Sequence, residues 1–202
     1  MLDVPLNADP GAKCEYSNFT SHMVGVVAAR ASGMDLKTLG ETHLFPKIDS
    51  EPGEWITDWE GNYNGHADLH MSARDMAKFG LMYLQDGRYK GQQVLSAEWV
   101  KESLKTHSEN AWTIKIGKNF RDMGYGFQWW SANAGDHHFH FAWGHGGQMI
   151  ALLKEYNMVV VVIADPLHGQ HGSKPWKYEK QNLNLVGDFI GGLPVLEGEN
   201  RE

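Results

Sequence analysis

Between Trp143 and Met149 the chain reads Gly144-His145-Gly146-Gly147-Gln148, three glycines around one histidine. Imidazole changes charge near neutral pH and can donate, accept or carry a proton. Glycine gives a strand nothing to pack and weakens it. Three of them therefore mark either a backbone that a ligand approaches closely, or a bulge or tight turn that merely re-aims the strand. The pentapeptide alone leaves both readings open. A second polar group, Tyr16-Ser17-Asn18, sets a phenol, a hydroxyl and an amide at the start of a helical pattern. The remaining histidines gather in His66-Ala67-Asp68-Leu69-His70 and in His137, His138 and His140. Those spacings can seat zinc, which makes a metal-dependent hydrolase one alternative. Neither group forms a full ligand set and Cys14 is distant in sequence, so no metal and no other cofactor is expected.

These residues need elements to hold them. The apolar run after Gln148 and the run Val159 to Ile163 flank the polar Lys154-Glu155-Tyr156-Asn157. Runs this short and this apolar read as strands buried on both faces and joined as a hairpin. Upstream, Ser17 or Asn18 caps a helix whose face carries Phe19, Met23, Val26 and Val27, ended by Gly33. A second short helix covers Asp35 to Leu44, before Pro46. Asp49 to Leu69 reads as a long loop in which Trp55, Trp59 and Tyr63 alternate with turn residues. Ser72 with Asp75 makes a near capping box for a helix through Met76, Phe79, Tyr83 and Leu84, and Ser96 caps another through Trp99, Val100 and Leu104. Tyr125 to Trp130 reads as a strand, followed by a polar turn from Asn133 to Asp136. After Asp165 a loop rich in Gly and His leads to a last helix with Leu183, Val186 and Ile190 on one face.

Composition narrows the function classes. The 202 residues are 42% hydrophobic and 21% charged, ordinary for a folded protein, with a formal net charge of -7. The 18 Lys and Arg residues form no run, which argues against nucleic acid and anionic membrane surfaces as partners. One cysteine allows no internal disulfide. No apolar run approaches the roughly 20 residues of a membrane span, and Met1 to Pro5 carries no export signal. Eight Trp, eight Phe and seven Tyr suit a lined cleft as well as a core.

Taken together, Tyr16-Ser17-Asn18, His145-Gly146-Gly147, the segment Ser72 to Gly80 and the segment Gly91 to Val100 resemble serine hydrolases of the β-lactamase and penicillin-binding superfamily, in its class C-like and esterase-like branch. The likeness runs in order from Pro10 to Asp165. It implies a fold with a helical region from residue 1 to 122 and antiparallel strands with a closing C-terminal helix from 123 to 202, an α/β (α+β) arrangement of a sheet flanked by helices. It also implies an acyl-serine intermediate. Tyr16 would exchange a proton with the nucleophile, Asn18 would contact substrate and the lysine of a Ser-x-x-Lys motif, and His145 would face them across the cleft. Gly146, Gly147 and Gln148 would form the strand edge that binds the acyl group, with the Gln148 amide as one oxyanion donor. A serine hydroxyl attacks poorly without a positioned base, and a phenol serves as one only when cations lower its pKa from about 10.

Two departures qualify the likeness. No serine in the chain is followed by lysine three positions later, so the nucleophile motif is absent. The expectation is a C-terminal portion of a serine hydrolase, inactive alone, with the N-terminal part of the fold missing and open sheet edges left for that portion or for a second copy. A non-catalytic binding protein that keeps the cleft is the other alternative. Gly146 also stands where many penicillin-recognising members carry threonine, and His145 where they carry lysine. That substitution weakens the case for β-lactam capture and favours ester, amide or peptide-like substrates. The resemblance implies a periplasmic or secreted setting, and the single cysteine leaves a cytoplasmic one open.

Overall fold

The apolar runs of the sequence form the central strands of a sheet, and helices cover its two faces. The computed structural model describes residues 5, 8, 9, 11–111, 117–168 and 176–196. Pro10, part of the loop leading to the first helix and most of the Gly- and His-rich loop after Asp165 lie outside the described residues. Helix α1 spans Asn18–Ser32 and ends on Gly33 in the left-handed conformation, with φ 69°. Helix α2 spans Leu36–His43, with the Asp35 side chain accepting from the Thr38 amide. A short 3-10 turn, Phe45–Ile48, follows it. Helix α3 spans Ala73–Leu84 and α4 spans Ala97–Leu104, capped by Ser72 and Ser96 as their spacing predicts. Between them a small hairpin pairs β1 (Arg88–Tyr89) with β2 (Gln92–Gln93).

The main sheet has five antiparallel strands in sequential order: β3 (Arg121–Tyr125), β4 (Trp130–Ala134), β5 (His137–Gly144), β6 (Gln148–Leu153) and β7 (Met158–Val162). Helix α5, Lys177–Gly191, closes the chain. Alternation sorts the side chains onto two faces. Trp130, Ala132, Phe139, Phe141, Met149, Ala151 and Leu153 meet Leu183, Val186 and Ile190 of α5 on one face. Ile150 and Leu152 meet Met82 and Tyr83 of α3 on the other. The three apolar α5 residues are almost wholly buried, and each contributes about 1.5–3 kcal/mol relative to exposure. Gly80 lets α3 approach closely: a Cβ there would meet Val159 Cγ1 at 2.7 Å and Ile150 Cγ2 at 3.0 Å.

Several expectations are corrected. The segment from Tyr125 to Trp130 is not one strand. β3 ends at Tyr125 and β4 begins at Trp130, because Gly126 donates to the Trp129 carbonyl and Gln128 takes φ 65° to form the connection. The run Val159 to Val162 is half-buried, not buried on both faces, because β7 is the edge of the sheet. On α1, Phe19 is 43% and Val27 61% exposed, whereas Ser21, Gly25 and Val26 face inward. The reason is a close crossing: Gly25 and Gly65 would bring a Cβ within 3.1 Å of each other's Cα. Strand β5 alternates buried His137, Phe139 and Phe141 with the less buried His138 and His140. No helix among the described residues is long and apolar enough to cross a membrane.

Candidate active site

The residues with chemical potential come to one end of the main sheet, where β3, β5 and β7 end and β4 and β6 begin. Tyr16, just ahead of α1, is half-buried against the sheet, with its ring 6.0 Å from Tyr125 and 5.7 Å from Trp130. Gln128 ties the two elements together: its Oε1 accepts from Ser21 Oγ of α1 at 3.3 Å and from the Tyr125 hydroxyl at 3.2 Å. Burial, with the nearby Tyr16 phenol and Cys14 thiol adding to it, pushes the Tyr125 hydroxyl above its ordinary range. Tyr125 is thus a protonated donor, not a base. Asn18 is the exposed first residue of α1.

His145, Gly146 and Gly147 form the turn between β5 and β6, with Gly144 paired to Gln148. Gly146 and Gly147 have φ 86° and 85°, a conformation that other residues adopt at a cost. What approaches this backbone closely is protein: a Cβ on Gly146 would lie 2.7 Å from Pro166 Cα, and one on Gly147 2.8 Å from Asn182 Cβ. Of the two readings that the pentapeptide left open, the tight turn accounts for the glycines at 146 and 147. Their amides are engaged, Gly146 by Glu179 and Gly147 by the Gly144 carbonyl.

A row of rings joins the two motifs. Trp130 lies 6.1 Å from Trp143, and the Trp143 indole donates to Glu179 Oε1 at 2.9 Å. The other carboxylate oxygen of Glu179 meets His145 Nδ1 at 3.1 Å. Tyr16 and His145 are therefore braced on one continuous set of contacts. Glu179, Tyr125 and Gln128 lie outside the motifs that the sequence marks, whereas Trp130 and Trp143 belong to the aromatic residues that suit a lined cleft. One signal existed for Glu179: it falls on the same helical stripe as Leu183, Val186 and Ile190, an acid where an apolar residue belongs.

The other histidines do not converge. His137 is 2% exposed, with Nδ1 2.5 Å from Glu155 and Nε2 3.0 Å from the Leu193 carbonyl. His138 and His140 sit on the opposite face of β5, their rings 5.0 Å apart. Burial lowers the His140 pKa to about 4 and also lowers the His138 pKa. His22 bonds Asp58 at 3.0 Å and stands edge-on to His66. Among the described residues no three His, Cys, Asp or Glu side chains are grouped to hold a metal ion. A depression of about 310 Å³ lies between α1, α2 and Gly61 to Tyr63, and one of about 490 Å³ beside Arg121, His138 and Lys154. Neither is lined by Tyr16, Trp130, Trp143 or His145.

Comparison with known proteins follows the same lines. The family model described as Beta-lactamase matches residues 1–183. A curated relative, the 6-aminohexanoate-dimer hydrolase of Paenarthrobacter ureafaciens, is 28% identical over 128 residues, which is 62% of this chain and 33% of the relative. A solved structure from Bacillus anthracis, a candidate 6-aminohexanoate-dimer hydrolase, superposes with a TM-score of 0.66 at 22% identity, over 93% of this chain and 47% of its own. Another, a candidate beta-lactamase from Bacteroides dorei DSM 17855, gives 0.65 at 15% identity, over 95% and 62%. The chain thus spans about a third of the curated relative and about half to three-fifths of these structures. The two superpositions show the fold: a β-lactamase-like mixture of helices and antiparallel sheet.

Proposed function

We propose, from the premise that this chain belongs to the beta-lactamase family of hydrolases, that it is the C-terminal part of a serine hydrolase acting through an acyl-serine intermediate. In this reading Tyr16 exchanges the proton of a nucleophilic serine and Asn18 contacts substrate. His145 faces them across the cleft, and the edge Gly146-Gly147-Gln148 binds the acyl group, with the Gln148 amide as an oxyanion donor. The observation that carries it is the row Tyr16, Trp130, Trp143, Glu179 and His145, which braces the two motifs at one end of one sheet. No Ser-x-x-Lys occurs in the 202 residues. The nucleophile is supplied by sequence outside them, and the chain as given is inactive alone.

Linear amides and esters are the substrate class assigned first. The curated relative is named for hydrolysis of a 6-aminohexanoate dimer, whose units are joined by an amide. Gly146 offers no hydroxyl to a β-lactam carboxylate, and its left-handed backbone disfavours the residue that would. The test is hydrolysis of a nitrophenyl ester by the longer protein that contains this chain. The expected activity survives a chelator and is abolished by a serine-directed phosphonate, with the label on a serine outside these residues. Activity that a chelator removes and the phosphonate spares would overturn the reading in favour of a metal-dependent hydrolase.

A further inference from the structure

One buried carboxylate gathers three donors behind the glycine turn. Glu179 stands in the first turn of α5 and is 2% exposed. Its Oε2 accepts from the Gly146 amide at 3.0 Å and lies 3.1 Å from His145 Nδ1, and its Oε1 accepts from the Trp143 indole at 2.9 Å. One turn further along α5, Asn182 Nδ2 donates to the Gly146 carbonyl at 3.1 Å. Helix α5 thus grips Gly146 by its amide and by its carbonyl. Packing does not call for an acid here, because the rest of the stripe is Leu183, Val186 and Ile190. The turn does call for one. A carboxylate takes donors on both oxygens, tolerates burial when they are engaged, and is favoured at the positive end of a helix.

We propose that Glu179 is a positioning residue of this site: it holds His145 with the proton on Nδ1 and fixes the turn that presents Gly146 to Gln148. What the fixed ring then does in catalysis rests on the serine-hydrolase reading; the fixing itself does not. With Nδ1–H committed to Glu179, Nε2 of the neutral ring is the nitrogen that can accept a proton, and the wrong tautomer is suppressed.

The test is made on the 202-residue chain with ¹⁵N-labelled histidine, read by long-range ¹H–¹⁵N correlation at a pH where His145 is neutral, together with amide exchange. The wild type is expected to show His145 as one tautomer, protonated on Nδ1. Glu179→Gln leaves an NH₂ facing a donor. The tautomers then mix, and Gly146 amide exchange rises about tenfold or more, while the Leu183 and Ile190 amides keep their protection. Asn182→Ala should speed Gly146 exchange without changing the tautomer. A wild-type ring protonated on Nε2 would overturn the proposal, as would an unchanged tautomer and unchanged Gly146 exchange in Glu179→Gln. Should that variant not fold, the wild-type tautomer and the Asn182→Ala result decide. None of these readouts needs turnover, so a protein inactive on esters would count against the hydrolase reading alone.

Discussion

The Tyr16 ring lies 5.7 Å from the Trp130 indole, and Trp130 is buried in the sheet at 3% exposure. The phenol is therefore held by its ring, which leaves the hydroxyl to do something else. Tyr16→Phe keeps the ring and removes only the hydroxyl. Stability is expected to stay within about 0.5 kcal/mol, while acylation in the longer enzyme falls by about 10²–10⁴. Stopped-flow measurement of acyl-enzyme formation checks it; near-normal rates in the variant would remove Tyr16 from proton transfer.

Trp130→Ala should act in the opposite way. Removing an indole that contacts Tyr16, Tyr125 and Trp143 is expected to cost about 3–5 kcal/mol, measured by urea denaturation. A loss below about 1 kcal/mol would mean that the row of rings does not brace the two motifs.

Much of this arrangement was legible because it rests on local chemistry. Ser72 and Ser96 cap their helices with the bonds that their spacing implies, and Leu183, Val186 and Ile190 share a buried face. The β6–β7 hairpin follows from two apolar runs around Lys154-Glu155-Tyr156-Asn157. What escaped depends on partners far along the chain. Phe19 and Val27 look like core until the Gly25–Gly65 crossing turns the other side of α1 inward. Glu179 meets His145 only because α5 returns across the sheet, 34 residues on. Gly146 and Gly147 were visible as special, but not that Pro166 and α5 are what they make room for.

Gly80 reports on how closely α3 lies on β6 and β7. Gly80→Ala gains up to about 1 kcal/mol in helix propensity, yet its Cβ would sit 2.7 Å from Val159 Cγ1. Overpacking of this kind costs about 1–3 kcal/mol, so a lower urea midpoint is expected, and a lower one still for Gly80→Val. A raised midpoint for Gly80→Ala would show that α3 has room to spare.

His140 predicts an acid-side loss of stability. Burial, helped by the charge of His138, lowers its folded pKa from 6.5 to about 4. The unfolded chain therefore binds a proton that the folded chain refuses. As pH falls from about 6.5 to about 4 the unfolded state gains, and stability drops by an amount of order 3 kcal/mol at most. His140→Gln should flatten that slope in pH-dependent urea melts. Below it lies a second window: Asp58, lowered to about 2 first by its Asn62 side-chain bond, contributes stability above the unfolded value that is lost as pH falls toward 2. Asp58→Asn should flatten that lower limb. An unchanged acid slope between pH 6.5 and 4 in His140→Gln would mean that the ring is not shielded.

In the serine-hydrolase reading, Gly146 bears on which substrates the longer enzyme accepts. Threonine at this position would supply the hydroxyl that many penicillin-recognising relatives use, so Gly146→Thr asks whether that chemistry can be restored by one residue. The backbone argues that it cannot. A β-branched residue at φ 86° is strained by about 1–3 kcal/mol, and its Cβ would fall 2.7 Å from Pro166 Cα, a backbone atom that cannot rotate away. The turn must open for the side chain to fit, which pulls Gly146 from both Glu179 and Asn182. The expected result in the longer enzyme is a lower urea midpoint, weaker ester turnover and no gain in acylation by a penicillin. A stable Gly146→Thr enzyme that gains penicillin acylation would instead make the missing hydroxyl the sole barrier, and the preference for linear amides and esters would no longer follow from the shape of this turn.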